Sequence, residues 1–121
     1  YGASWSMNYH ANMIFYMIAC DSTGQYVVAN LNDYEGGQYI DTIQYSSDYG
    51  ATWSQSPSAP TDVKTTALVC DSSGQYMAAV MEDEARDGVY WLYVSADYGP
   101  NVMLMVLIVY MEWLWIVQDS I

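Results

Sequence analysis

A ten-residue segment, Cys20-Asp21-Ser22-Thr23-Gly24-Gln25-Tyr26-Val27-Val28-Ala29, returns fifty residues later as Cys70-Asp71-Ser72-Ser73-Gly74-Gln75-Tyr76-Met77-Ala78-Ala79, with seven positions identical. A second segment, Ser46-Ser47-Asp48-Tyr49-Gly50-Ala51-Thr52-Trp53, returns 49 residues on as Ser95-Ala96-Asp97-Tyr98-Gly99-Pro100-Asn101-Val102. The opening Tyr1-Gly2-Ala3-Ser4-Trp5-Ser6 matches the stretch from Tyr49 to Ser54, and the closing Val117-Gln118-Asp119-Ser120 matches the stretch from Val69 to Ser72. Two motifs alternating in the same order define a repeat of about 49 residues, of which the 121 residues hold roughly two and a half. A unit of that length cannot bury an apolar face alone and must stack on its neighbours.

Within a unit the strand signals are short and separated by turn residues. Residues 17–19 lead into a turn at 21–24, and 25–31 form a strand apolar on both sides, as between packed sheets. A turn at 32–37, a third strand at 38–45, the turn around Asp48 and a fourth strand from Thr52 complete the unit. The second unit repeats this with 67–69, 75–81, 89–94 and a strand from Asn101. Thirteen Tyr and five Trp against one Phe suit strands better than helices. The expected fold is therefore all-β, with four antiparallel strands per unit, the pattern of a β-propeller blade. In repeat phase, residues 1–16 end one blade, 17–66 and 67–116 are blade repeats, and 117–121 open the next.

The turn motif has a physical reading of its own. An Asp side chain at 48 or 97 can accept from a backbone N–H two residues on, and Gly50 and Gly99 can take a positive φ. Trp53 and Trp5 are expected to pack their indoles against neighbouring strands. Ser46-Ser47-Asp48-Tyr49-Gly50-Ala51-Thr52-Trp53 resembles the Asp box, or BNR repeat, with the pattern Ser-x-Asp-x-Gly-x-Thr-Trp. That family includes sialidases, sortilin-type receptors, some glycoside hydrolases and many surface proteins. The resemblance implies a propeller with the box at the turn between the third and fourth strands of each blade. It implies structural roles for Ser46, Asp48, Gly50, Thr52 and Trp53. In the second copy it implies them for Ser95, Asp97 and Gly99, with Asn101 and Val102 where Thr and Trp belong, and at the start of the chain for Gly2 and Trp5.

Composition narrows the function. Fourteen acids stand against two basic side chains, Lys64 and Arg86, for a net charge of −12. That excludes a nucleic-acid binder held by phosphate contacts and opposes docking on an anionic membrane. Sialidases of the resembled family hold a sugar carboxylate with three Arg, which one Arg cannot reproduce. His10 is the sole His, so no Ser-His-Asp set is present. Cys20 and Cys70 hold equivalent places in successive units and are expected to be buried free thiols rather than a disulfide. No catalytic, metal or cofactor residues are assigned. Glu82-Asp83-Glu84 with Asp87 reads as a solvated acidic loop without calcium-loop spacing. The polar stretch 54–66 reads as an exposed connector between blades.

Residues 102–117 break the pattern, being nearly all apolar with Glu112 the only charge. Sixteen residues are short for a membrane helix, so no span is expected, and the β-branched and aromatic content favours strand plus connector. Partial repeats at both ends leave strand edges that template pairing. The expected function is thus a non-enzymatic extracellular or cell-surface repeat protein, a scaffold, adhesive or filament former. Its expected partners are further copies or the remainder of a longer chain. The alternative is a fragment of a carbohydrate-binding or glycoside-hydrolysing propeller, its exposed Tyr and Trp contacting glycans.

Overall fold

Alternation of apolar and polar residues between Gly-bearing turns leaves this chain few ways to satisfy its backbone other than antiparallel pairing. The computed structural model describes residues 4, 5, 7, 13–35, 37–60, 64–83, 85–111 and 114–119, and every regular element among them is a strand. The first sheet is a meander of β1 (Met13–Cys20), β2 (Val27–Glu35), β3 (Gln38–Ser46) and β4 (Ser54–Gln55), in that spatial order. The second repeats it with β5 (Lys64–Cys70), β6 (Met77–Glu82), β7 (Val89–Ser95) and β8 (Val102–Met111), and adds β9 (Leu114–Asp119). All pairings are antiparallel, and neither sheet closes on itself.

The sheets are the same object twice, down to their irregularities. The β1–β2 ladder slips between Phe15 and Met17, and the β5–β6 ladder slips between Thr65 and Ala67, at matching places in the repeat. Such bulges add twist at a fixed point of an edge strand.

Faces follow from register, because directly paired residues share a side of the sheet. Val28, Asn30 and Asn32 on β2 lie opposite Tyr45, Ile43 and Asp41 on β3, and this front face meets the second sheet. The second sheet answers with Met77, Ala79 and Met81, opposite Ser95, Tyr93 and Trp91. Val28 and Ile43 form one buried cluster with Met77, Ala79 and Met81, which Leu68, Cys70 and Tyr93 flank. By repeat position, Met77, Ala79 and Met81 correspond to Val27, Ala29 and Leu31, the back of the first sheet. The packing is thus head to tail, front on back. As expected, β2 is covered on both sides, with Val27 through Leu31 all buried.

Two expectations change. Residues 102–117 were expected to give a strand plus connector with 117–121 opening a further unit, but Leu114–Asp119 folds back onto Val106–Met111 as a fifth strand. An apolar run long enough to pair with itself satisfies its backbone locally. No helix among the described residues is long and apolar enough to cross a membrane. The connector is also less exposed than its composition suggests. Ser56 and Ala59 are buried, Ser56 Oγ donates to the Pro100 carbonyl at 3.1 Å, and the Val102 N–H donates to Ser58 Oγ at 2.8 Å. It straps the first sheet to the β7–β8 turn of the second.

Candidate functional site

The two repeated motifs recur together because each holds the other. Asp21, buried before the β1–β2 turn, accepts at Oδ1 from the Tyr26 N–H and at Oδ2 from the Thr23 hydroxyl, and Asp71 treats Tyr76 and Ser73 alike. That turn presents Gln25, whose carbonyl accepts from the Tyr49 N–H and whose Nε2 donates to the Ser47 carbonyl. Gln75 makes the same bonds with Tyr98 and Ala96. Each β1–β2-type turn is therefore buttoned to the β3–β4-type turn of its own sheet.

Inside the second motif, Ser46 is buried and its Oγ donates to Asp48 Oδ1 at 2.8 Å while accepting from the Gly50 N–H at 2.9 Å. Asp48 Oδ1 accepts from the Thr52 N–H at 2.8 Å, and the Thr52 hydroxyl donates to Oδ2. The carboxylate thus reaches four residues on, where a two-residue Asx turn was expected. Tyr49 at φ 62 and Gly50 at φ 78 curl the backbone left-handed twice, which brings Thr52 back under the carboxylate. Ser95, Asp97, Gly99 and Asn101 repeat this network, the Asn101 amide replacing the Thr hydroxyl.

The Trp53 indole donates to the Gly50 carbonyl at 3.0 Å and packs edge-on against Phe15 of β1, ring centroids 5.4 Å apart. Trp5 does not follow: it is 91% exposed, where packing against a strand was expected. Its segment lacks the Ser-x-Asp half of the motif that would dock it. Gly2 and His10 lie outside the described residues. The thiols are free but not buried as expected: Cys20 is exposed and Cys70 partly so, because β1 and β5 are the edge strands. Burial, then the carboxylates of Asp71 and Asp21 and the Cys20 sulfur, push the Cys70 thiol up, against nucleophilic use.

The turn carboxylates share a signature. Hydrogen bonds from Thr52 and then Ser46 hold Asp48 below its ordinary range, those from Asn101 and Ser95 do so for Asp97, and Ser73 for Asp71. For Asp21 burial pushes upward, and the Thr23 hydroxyl and the Tyr26 N–H outweigh it. A lowered carboxylate contributes stability above its unfolded value and loses it as pH falls through the folded one. Melting temperature should therefore drop steeply as pH falls below ~3. A midpoint that keeps rising down to pH ~2 would refute a structural role for these four carboxylates.

The acidic loop folds on itself. Asp83 is held low chiefly by the Arg86 side chain, whose Nη2 lies 2.8 Å from Oδ2, and the guanidinium stacks over Trp91 at 5.2 Å. Glu84 lies outside the described residues, and among the described residues no group of His, Cys, Asp and Glu could hold a metal ion.

Sequence reading missed a groove of about 450 Å³ at the end of the sheets away from these turns. Asn30, Asn32 and Asp41 from the front of the first sheet line it, with Tyr16 from the β1 bulge and Lys64 and Thr65 from β5. Asn30 is buried and its Nδ2 donates to Thr65 Oγ1 across the sheets at 3.1 Å. Asn32 Nδ2 donates to Asp41 Oδ1 at 2.6 Å. The Lys64 ammonium lies 3.5 Å from Glu82. The available signal was Asn at 30 and 32, two amides two residues apart and so on one side of the strand. No family model matches the chain, and no curated protein or solved structure is significantly similar to it.

Proposed function

We propose that this chain is a non-enzymatic extracellular or cell-surface scaffold of Asp-box β-propeller blades, and that it assembles with further copies by repeating its own sheet-to-sheet joint. The observation that carries this is a knob and socket between the sheets. The Tyr26 ring covers Gly74 so closely that a Cβ there would lie 2.6 Å from the Tyr26 Cβ, and it packs on Tyr98 with centroids 4.5 Å apart. One repeat on, the turn ends of both halves are open: Tyr76 is 52% exposed on the second sheet, while a Cβ added at Gly24 of the first would meet nothing within 4 Å and Tyr49 beside it is exposed.

The second contact of the joint is rewritten in a compensating way. Internally, Tyr45 covers Gly99, and Val102 stands where the motif calls for Trp. In a joint between copies, the smaller Val94 replaces Tyr45, and Gly50 is already covered by the Trp53 ring. Volume moves from one side of the contact to the other, as a copy-to-copy interface requires. Such a head-to-tail interface propagates into rings or filaments. Arg86, held by Asp83 and Trp91, is committed to its own loop, which supports a scaffold over a carboxylate-clamping enzyme.

Sedimentation velocity tests the reading. The wild-type chain should associate with rising concentration, and Tyr76→Ala should weaken association at least about tenfold, as loss of an aromatic anchor does, with the circular dichroism unchanged. A single monomeric species up to about 0.2 mM would defeat it.

A further inference from the structure

We infer that the groove between the open ends of the two sheets binds a small primary ammonium ligand. The inference concerns the end of the molecule away from the turns and does not depend on assembly. It begins with an orphan. Asn32 Oδ1 is buried and has no hydrogen-bond partner among the described residues, an arrangement that costs free energy unless something donates to it. The amide cannot escape by flipping, because the flip would set its oxygen against the Asp41 carboxylate that its Nδ2 now serves. The missing group must therefore be a donor.

The rest of the lining agrees. Asp41 Oδ1 takes the Asn32 amide, and its carboxylate retains acceptor capacity. The Lys64 charge is offset by Glu82, so Asp41 is the uncompensated charge among the described groove-lining residues. Tyr16, 61% exposed, brings an aromatic ring to the rim, where a cation is attracted to the π face. Acceptors, a carboxylate and an aromatic face in a chain of net charge −12 select a donor-rich cation and reject anions. The groove is of a size usual for small-molecule sites.

The test uses nitrogen-15-labelled full-length chain titrated with n-butylammonium chloride, with tetramethylammonium chloride and methyl β-glucopyranoside as comparisons. Butylammonium should shift the Asn32 side-chain amide signals and saturate. Tetramethylammonium has the charge but no N–H, so it should bind at least about tenfold more weakly. Asp41→Asn and Asn32→Ala should each weaken butylammonium about tenfold. Lys64→Met removes the neighbouring cation and should tighten binding about threefold, a gain that misfolding cannot imitate. Equal binding of the two ammonium ions would reduce the effect to diffuse attraction by an acidic chain and overturn the proposal. Saturation by the glucoside without the amine, or no tightening in Lys64→Met, would overturn it as well.

Discussion

Gly74→Ala should destabilise the chain by about 3 kcal/mol, and Gly24→Ala by only about 1 kcal/mol. The two glycines occupy the same turn in successive repeats with the same backbone, φ 78 and φ 77, so the strain of placing an L-residue there is common to both. They differ in what lies beyond. A Cβ on Gly24 meets open space, whereas a Cβ on Gly74 falls 2.6 Å from Tyr26 Cβ and 2.7 Å from its Cγ. Those atoms are the root of the side chain, so relief requires the first sheet to back away from the second. At about 4 °C per kcal/mol, thermal melts should show a drop near 12 °C for one and near 4 °C for the other. Equal losses would mean that the sheets do not meet through Tyr26. Gly99→Ala, with φ 110 and a Cβ 2.6 Å from Tyr45 Cβ, should follow Gly74→Ala.

This asymmetry bears on what the sequence disclosed. Motif identity placed the two motif turns and their repeats, because Asp21, Ser46, Asp48 and the glycines act within a few residues of themselves, and local chemistry is what a sequence writes most directly. The double-sided burial of β2 was legible for a related reason, since a strand apolar on both faces has to be covered on both. The sequence also showed that the two motifs keep company, without showing why. The reason is the Gln25 and Gln75 side chains, each spanning to the turn of the next hairpin more than twenty residues away.

What failed involved partners distant in sequence. Trp5 shares its pentapeptide with Trp53, yet it is solvent-exposed, because docking an indole needs the preceding Ser and Asp to curl the backbone. Strand ends were read short: β1 begins at Met13 and β2 runs to Glu35, through residues read as connector and turn. Polar residues such as Asn32 and Asp33 continue a ladder once a neighbour offers one, and propensity does not see the neighbour. The groove was invisible for the same reason. Asn30 and Thr65 are 35 residues apart and meet only after the sheets stack.

Leu31→Ala and Met81→Ala should each cost about 3 kcal/mol, and together about 6 kcal/mol. The two residues are repeat equivalents and each is 1% exposed, but they serve different layers. Met81 belongs to the cluster between the sheets, with Val28, Ile43 and Ala79. Leu31 faces the other way, opposite Phe15 and Thr42 on the back of the first sheet, where Phe15 meets the Trp53 ring. A whole β-sheet separates the two cavities that truncation would open, so their costs should add to within about 0.5 kcal/mol in urea melts. For a domain of ordinary stability, 5–15 kcal/mol, the double variant would stand at the edge of unfolding. Strong non-additivity would show that the two layers share one void, and the front-on-back stacking would be wrong. Additive losses would establish two independent apolar layers where the described residues form two sheets. The back layer would then include Phe15 and the Trp53 ring packed on it, which makes Trp53 one of the residues that cover the back of the first sheet.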